Sequence, residues 1–351
     1  MDISLRNDKF VPTIFINLLT LEQFSKFRRI LIIRLSSLGD ILLTTPLLRA
    51  IKNHYPSIEL DYLVRPEYAD ALKFNPYINK LHFYNRESEQ TNILHTQLKE
   101  TKYNLIIDLQ NNLRSKVLSG KLSREVVRFN KKSIDKFLLV KFKINRLKDS
   151  PQIPFRYAAV VPGLSLDEKG IELITDKTFD SRVNTNKTNI GLCPGARHFT
   201  KRWPEKYFIE LGKKLVEQNF QVLLFGGRTD RKICEKISQS IPGSIDLSND
   251  DNLLQTTANM QVCSVVVCND SGLMHTASAS KVKVLAIFGS TVKEFGFTPY
   301  NCDHLILENN SLTCRPCSHI GRESCPQKHF NCMNEIYPAK VFEKVLEILK
   351  H

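Results

Sequence analysis

The chain has 351 residues, 42% of them hydrophobic and 25% charged, a balance that excludes an intrinsically disordered protein and suits two domains with separate cores. The 50 Lys and Arg residues outnumber the 36 Asp and Glu residues, and the formal charge of +14 favours an anionic partner such as a nucleic acid, a membrane surface or a phosphorylated substrate. No run of 18 or more apolar residues and no secretory signal pattern occurs, so we expect a cytoplasmic protein without a membrane-spanning helix.

Residues 1–29 form an N-terminal extension in which apolar residues precede a basic end. Two interpretations are open for it: an amphipathic helix on a surface, or a packing extension that covers the first domain. The packing extension is the preferred interpretation.

Residues 30–160 alternate strand-like with helix-like segments and predict a first domain built on a parallel sheet. Residues 161–187 lose this alternation, and their polar, loop-rich composition predicts a linker. Residues 188–337 restart the alternation and predict a second α/β domain. The predicted strands are residues 30–34, 58–64, 81–84, 103–109 and 125–129 in the first domain, and 189–193, 220–225, 244–247 and 262–268 in the second, with a further strand ending near residue 289.

The loop after the first strand carries Ser37, Gly39 and Asp40, at the sheet edge where parallel sheets bind ligands. Arg65 and Arg114 follow other strand ends and are candidate contacts for an anion. Each feature has a plainer interpretation: Asp40 as a helix-start residue favoured by the helix dipole, and each arginine as a solvated side chain.

The stretch 262–289 is predicted to be a strand, a tight turn, a helix and a strand, with polar chemistry only at the turn. Asp270 or Ser271 can cap this helix, so that the free N–H groups around Gly272 face outward and form an anion site. His275, in the first turn of the helix, is a candidate donor to a phosphate or ribose oxygen. The alternative is a capped turn with one polar histidine.

Two further loops of the second domain carry glycine turns at strand ends. Gly195 begins a turn that leads to Lys201, a cation suited to a diphosphate, and Asp230 follows the glycines of the second loop, where a carboxylate can accept from ribose hydroxyls. Each loop alone is a weak signal, but three such loops in one doubly wound domain converge on one crevice.

The chain ends with a cysteine-rich loop and an amphipathic helix over residues 338–351. The loop spans residues 314–332 and holds four cysteines whose spacing allows a structural zinc site: Cys314, Cys317, Cys325 and Cys332. Buried or reactive thiols are the alternative, and no catalytic metal is expected.

Together these motifs resemble the ADP-heptose:lipopolysaccharide heptosyltransferases, glycosyltransferase family 9. The resemblance rests on RLSSLGDILLTTPLLRAIK, LCPGAR with KRWP downstream, FGG, and NDSGLMHTASA followed by FGST and TPY. It covers nearly the whole chain from residue 30 onward. It implies an α/β fold of the GT-B type, in which two Rossmann-like domains with parallel sheets face each other across a cleft, and in which the helix over residues 338–351 packs back toward the first domain.

The resemblance also implies roles for the singled-out residues. Asp40 matches the general base that takes the proton of the acceptor hydroxyl. The donor-binding residues would be Gly195, Lys201, Asp230, Asp270, Ser271, Gly272 and His275. The acceptor-binding residues would be Ser37, Gly39, Arg65 and Arg114.

The implied activity is inverting transfer of a heptose from ADP-heptose to the lipid A-linked inner core of lipopolysaccharide. The implied partners are the ADP-activated donor, the lipid A-linked acceptor and the anionic surface at the inner face of the cytoplasmic membrane. No cofactor is required, because a helix N-terminus and cations can stabilise the leaving diphosphate.

Three alternatives stay open at this stage. The enzyme could use another nucleotide sugar, or could be a nucleotide-sugar epimerase of similar architecture that needs no acceptor. A nucleic-acid-binding module with a zinc ribbon is disfavoured, because Lys and Arg are spread over the chain rather than gathered with aromatic residues.

Overall fold

The computed structural model describes residues 20–85, 88–120 and 122–350, which form two parallel sheets covered by helices. The first sheet contains β1 (Arg29–Ile33), β2 (Glu59–Val64), β3 (Lys80–Phe83), β4 (Leu105–Asp108) and β5 (Glu125–Arg128). The second contains β6 (Asn189–Cys193), β7 (Gln221–Leu224), β8 (Ile245–Asp246), β9 (Val265–Asn269), β10 (Lys283–Phe288) and β11 (His304–Glu308). The predicted α/β class with two parallel sheets is confirmed.

Helices connect and cover these strands. Those of the first half are α1 (Leu21–Ser25), α2 (Leu38–Leu42), α3 (Thr45–His54), α4 (Ser88–Glu100), α5 (Leu113–Ser119), α6 (Ser133–Phe142) and α7 (Ile153–Ala158). Those of the second half are α8 (Glu205–Glu217), α9 (Arg231–Gln239), α10 (Leu253–Met260), α11 (Gly272–Ala279), α12 (Asn331–Asn334) and α13 (Pro338–Lys350).

The strand order gives each sheet a point where the chain changes direction. The first sheet has the order β3-β2-β1-β4-β5 and the second β11-β10-β9-β6-β7-β8, and all the strand pairs are parallel. The order reverses between β1 and β4 in the first sheet and between β6 and β9 in the second. Ligands bind in the crevice outside such points, so the loops after β1, β6 and β9 are the places to look.

The central strands consist of aliphatic residues because both faces of each sheet are covered. Ile30 to Ile33 of β1 and Val265 to Val267 of β9 are fully buried. Such strands read as continuous apolar runs rather than as alternating patterns. Polar side chains that could bind a ligand are therefore expected in the loops at the carboxyl ends of these strands.

The two domains touch where α2 of the first packs against α11 of the second. Gly39 makes this approach possible, because a Cβ atom at this position would lie 2.4 Å from Cδ2 of His275. The sequence analysis interpreted Gly39 as room for a ligand. In the structure that space is filled by the imidazole ring of His275.

The chain crosses between the domains through residues 161–187. Ile171 and Leu173 lie in the hydrophobic core of the first domain, and Val183 lies in a core cluster of the second. Arg49 of the first domain is 1% exposed and fixes this connecting segment through ion pairs with Asp167 and Glu172.

The prediction that the C-terminal helix packs back toward the first domain is wrong. In the structure α13 packs against α8 and strands β9 to β11 of its own domain. Val341, Val345 and Ile348 are buried in the core cluster there. An amphipathic pattern shows that a helix buries one face, but it does not show against which partner.

Residues 20–28 of the predicted extension pack on the first domain, because Phe24 of α1 is fully buried in that core. This agrees with a packing extension for these residues, and the predicted segment over residues 1–19 lies outside the described part of the chain. Within the described ranges, no helix has the length and apolar character needed to cross a bilayer.

Candidate active site

A cavity of about 480 Å³ lies between the domains, where the loop after β1 faces the loop after β9. Ser37, Gly39 and Asp40 line it from the first domain. From the second domain it is lined by Lys201, Asp270, Ser271, Gly272 and His275. The structure therefore brings most of the predicted site residues to one place, although the two groups are far apart along the chain.

Asp40 is held as a carboxylate at one wall of this cavity. Its Oδ1 lies 2.6 Å from a guanidinium nitrogen of Arg34, and its Oδ2 accepts hydrogen bonds from the hydroxyl and the backbone N–H of Ser37 at 2.7 and 3.2 Å. Burial acts to raise the pKa of Asp40, but the charge of Arg34 and the hydrogen bonds from Ser37 outweigh it and lower that pKa. The carboxylate is therefore charged and oriented at neutral pH.

Arg34 is a site residue that the sequence analysis missed. It follows the last residue of β1, is 7% exposed, and donates to the carbonyl oxygen of Leu109 at 2.6 Å. A single arginine at a strand end is usually solvated, and only the fold shows that this one is buried beside Asp40.

The amino end of α11 forms the opposite wall. Ser271 is the N-cap in extended conformation, and its buried hydroxyl finds no hydrogen-bond partner within the described residues. The first-turn N–H groups that begin at Gly272 have no intrahelical acceptor, as at any helix start. A phosphate placed here would meet the positive end of the helix dipole and the free hydroxyl.

Asp270 and Lys201 form an ion pair beside this helix start. Lys201 Nζ lies 2.7 Å from Asp270 Oδ2, and the hydroxyl of Thr291 donates to the same oxygen at 2.6 Å. Burial acts to raise the pKa of Asp270, but Lys201 and Thr291 outweigh it and lower that pKa. The carboxylate of Asp270 thus fixes the ammonium of Lys201 at the cavity wall, and Thr291 is a second residue that the sequence analysis missed.

His275 lies under the cavity as a neutral side chain. It is 4% exposed, and burial lowers its pKa to about 4. Its Nδ1 has no hydrogen-bond partner among the described residues. A neutral imidazole can still donate one hydrogen bond to a ligand oxygen, but it adds no positive charge at neutral pH.

A second cavity of about 350 Å³ adjoins the first and shares Leu38, Tyr68, Arg197, Ser271 and Gly272 with it. Gly195 and Asp230 line this second cavity. A Cβ atom at position 195 would lie 2.2 Å from the carboxyl carbon of Asp230, so the glycine is required for the two loops to approach. Burial raises the pKa of Asp230, which indicates that its carboxylate lacks the strong partners that stabilise Asp40.

Cations gather on the first-domain side of the first cavity. Lys131 and Lys136 line it together with Arg34. Burial, with repulsion from Arg156 and other cations, lowers the pKa of Lys136 to about 8. Neither lysine was singled out from the sequence, because both lie in a basic run that resembles a solvated face.

Two predicted acceptor residues lie elsewhere. Arg65 forms an ion pair with Glu67, and Arg114 is exposed at the start of α5. Neither residue lines either of the two cavities. Both follow strand ends as predicted, but their side chains do not reach the crevice.

The sequence left two interpretations open for the four cysteines of the 314–332 loop, a structural zinc site and buried or reactive thiols. Cys332 is buried beside Met333 in the core of the second domain, and burial together with the nearby thiols of Cys314, Cys317 and Cys325 raises its pKa. In residues 20–85, 88–120 and 122–350, no three Cys, His, Asp or Glu side chains are arranged to hold a metal ion. The choice between a structural zinc site and plain thiols therefore stays a prediction for metal analysis.

Comparison with known proteins shows the family of this chain. Lipooligosaccharide heptosyltransferase 2 of Campylobacter jejuni is 26% identical over 90% of this chain and 96% of its own length, and that of Haemophilus influenzae is 28% identical over 91% and 99%. The structure of Escherichia coli ADP-heptose lps heptosyltransferase II matches with a TM-score of 0.69 and 22% identity, over 92% of this chain and 98% of that chain, which confirms the predicted GT-B fold. The model of glycosyltransferase family 9 (heptosyltransferase) matches residues 92–328, more than half of the chain. The chain is therefore a glycosyltransferase and belongs to glycosyltransferase family 9.

Proposed function

We propose that this enzyme transfers a heptose from ADP-heptose to the lipid A-linked inner core of lipopolysaccharide, with inversion at the anomeric carbon. One observation carries the proposal: the carboxylate of Asp40 and the amino end of α11 line the same interdomain cavity. A base on one wall and an anion site on the other is the arrangement that direct displacement of a diphosphate requires. The relatives named above are heptosyltransferases, and this supports the choice of sugar.

The donor occupies the second domain in this proposal. Its diphosphate lies at Ser271 and Gly272, next to the ammonium of Lys201, and its adenosine extends into the adjoining cavity toward Asp230. The solved structure of E. coli heptosyltransferase WaaC with ADP-2-deoxy-2-fluoro heptose, which is 16% identical to this chain, shares the fold with a TM-score of 0.68. The helix dipole and Lys201 supply the positive field that the leaving group needs, so the proposal requires no metal cofactor.

The acceptor binds on the side of the first domain. Its hydroxyl oxygen attacks the anomeric carbon of the heptose, its proton passes to Asp40, and the bond from that carbon to the diphosphate oxygen breaks to release ADP. Because the pKa of Asp40 is lowered, the proton moves late, when the attacking oxygen has become acidic.

The cations beside Asp40 suit an anionic acceptor. Lys136 is repelled by Arg156, Arg34 and Lys131 in a partly desolvated position, and an acidic sugar or phosphate would relieve that repulsion. We assign the excess positive charge of the chain to this acceptor and to the anionic inner face of the cytoplasmic membrane, and not to a nucleic acid.

A donor screen with a product assay tests the proposal. We expect ADP and ADP-heptose to raise the melting temperature more than UDP, GDP or their sugars, because a ligand at about 100 times its Kd stabilises the fold by about 2.7 kcal/mol. Mass spectrometry should then show a heptosylated acceptor and free ADP. Consumption of ADP-heptose without acceptor would instead indicate an epimerase, and stronger stabilisation by another nucleotide would refute the donor assignment.

A further inference from the structure

The first domain carries large apolar side chains exposed on two neighbouring helices. On α6 these are Ile134, Phe137 and Phe142, which are 73%, 58% and 57% exposed. On α5 they are Leu113 and Val117, which are 81% and 70% exposed. We call these five side chains the apolar patch. Single exposed apolar residues are ordinary on a protein surface, but five on two adjacent helices indicate an interaction site.

The two helices begin at the same edge of the first sheet. Strands β4 and β5 pair in parallel, α5 follows β4, and α6 follows β5. The side-chain amide of Asn111, just before α5, donates to the carbonyl oxygen of Phe129, just before α6, at 2.8 Å. The starts of the two helices therefore lie close together at this edge of the sheet.

Internal packing does not account for the composition of α6. The helix buries Leu139 in a small cluster with Leu147 and Phe295 of the second domain. The rings of Phe137 and Phe142, with centroids 5.9 Å apart, lie on the solvent side instead. A surface helix whose outward side is also apolar buries that side against something outside the monomer.

The charge around the apolar patch indicates the kind of partner. Residues 131–148 contain seven Lys or Arg residues and one Asp residue. Lys141, Lys143 and Arg146 are exposed between the apolar side chains of this segment. Aromatic and aliphatic side chains interspersed with lysines are typical of a helix that lies at the surface of an anionic bilayer. A second copy of the chain is a poor occupant, because two such surfaces would bring like charges together.

The position of α6 connects the apolar patch to the active site. Lys136 of this helix lines the interdomain cavity, whereas the next residue, Phe137, points to solvent. The Nζ of Lys143 donates to the carbonyl oxygens of Cys314 and Pro316 of the second domain at 3.1 and 2.7 Å. The helix is therefore fixed at the rim of the cavity, with one side toward the site and the other outward.

We propose that the apolar patch is a membrane-docking surface that inserts Phe137 and Phe142 into the headgroup region of an anionic lipid bilayer. This surface places the acceptor side of the cavity next to the membrane, where a lipid-linked acceptor would be embedded. Only this last consequence rests on the proposed function; the docking itself depends on the exposed side chains and the charge.

Co-sedimentation of the full chain with lipid vesicles tests the proposal. The probes are vesicles of phosphatidylcholine alone and vesicles of phosphatidylcholine with an equal part of phosphatidylglycerol. The variant Phe137→Ser/Phe142→Ser should bind the anionic vesicles at least about tenfold more weakly than the parent protein, because two inserted rings are lost. Phe179→Ser is the matched control, since Phe179 is 41% exposed outside the apolar patch, and it should bind like the parent.

The contribution of the basic side chains to vesicle binding is measured with a second variant. Lys141→Gln/Arg146→Gln should weaken binding to the anionic vesicles and reduce its dependence on salt, with little change for phosphatidylcholine alone. Equal binding of the parent protein and both double variants to anionic vesicles would overturn the proposal. A change of oligomeric state in the phenylalanine variant, with vesicle binding unaltered, would also overturn it and assign the apolar patch to a contact between copies.

Turnover measured with two forms of the acceptor distinguishes failure of this proposal from failure of the proposed function. The phenylalanine variant should retain turnover with a deacylated, water-soluble acceptor and lose it with the acceptor embedded in vesicles. Should the parent protein fail to transfer heptose to either acceptor, the proposed function is wrong, whereas the vesicle-binding result still decides whether the membrane-docking surface exists.

Discussion

Replacing Asp40 by asparagine keeps the shape of the side chain and removes its ability to take a proton. As the proposed general base, Asp40 should contribute about a hundredfold or more to turnover, and we expect Asp40→Asn to lose at least that factor at saturating donor and acceptor. ADP affinity should be nearly unchanged, because the proposed donor contacts lie on the opposite wall of the cavity. A residue that only begins a helix would behave differently, since asparagine caps a helix as well as aspartate does.

The structure adds a cost in stability to this substitution. Asp40 and Arg34 form a close ion pair in which the side chains are 16% and 9% exposed. Leaving one partner of a buried pair uncompensated costs about 3 to 5 kcal/mol. We expect a value near 3 kcal/mol, because Arg34 keeps its hydrogen bond to the carbonyl oxygen of Leu109. The melting temperature should therefore fall by several degrees while the protein stays folded.

The assay must separate lost stability from lost chemistry. Asp167→Asn is a matched control, because it removes a carboxylate from buried Arg49 at a position that lines neither cavity. It should lower the melting temperature and leave turnover at least half of the parental value. Initial rates and ADP binding are measured for both variants well below their melting temperatures.

Two results would refute the reasoning about Asp40. A variant that keeps more than half of the parental turnover shows that Asp40 is not the base. A variant in which ADP binding and turnover fall by the same factor shows that the substitution disturbs the donor site and does not remove a proton acceptor.

Four further predictions follow from the site. Lys201→Gln should raise the Kd for ADP by about tenfold or more, because it removes the ammonium that Asp270 holds at the cavity wall, and an unchanged Kd would exclude this role. Burial lowers the pKa of His275 from 6.5 to about 4, so that the unfolded chain takes up a proton at a higher pH than the folded chain does. The free energy of unfolding should therefore fall by about 3 kcal/mol as the pH drops from 6.5 through 4. Urea unfolding measured above and below this pH window should show that His275→Gln lacks this part of the loss of stability in acid. Gly39→Ala should lower both melting temperature and turnover, by about 1 to 3 kcal/mol in stability, because its methyl group would meet the His275 ring, whereas Gly272→Ala should cost less since its methyl group would meet only a leucine side chain at 3.2 Å. Metal analysis of protein purified without chelator should find less than about a tenth of an equivalent of zinc if the loop cysteines are plain thiols, and about one equivalent would show that they hold a metal.

The loops of the site were predictable because parallel sheets restrict where chemistry can occur. An apolar run followed by a glycine turn and a polar residue marks the carboxyl end of a strand, and this signal located Asp40, Gly195 and Asp270. Strand positions were close as well: residues 262–268 were predicted where β9 spans Val265–Asn269. Strand β11 (His304–Glu308) was missed although its three central residues are apolar, because it is a short strand at the edge of the sheet.

What the sequence did not predict are the contacts that depend on tertiary packing. The sequence shows Gly39 only as a glycine after a strand, whereas in the fold His275 packs against it. It shows Lys136 only as part of a basic run, whereas in the fold its side chain lines the cavity. Arg65 and Arg114 illustrate the converse, because position after a strand does not fix the direction of a long side chain. The orientation of these side chains depends on contacts with residues far away in the sequence. A local sequence pattern does not contain that information.

The hydrophobic core of the first domain does not stop at the domain boundary. Leu254, Ala279 and Tyr300 of the second half are buried in the same cluster as the strands and helices of the first sheet. Neither half can therefore lose its structure without uncovering apolar surface of the other, and the two should unfold in one cooperative transition. A chimera that exchanges whole domains between family members would have to carry these three residues with the first domain to conserve its stability.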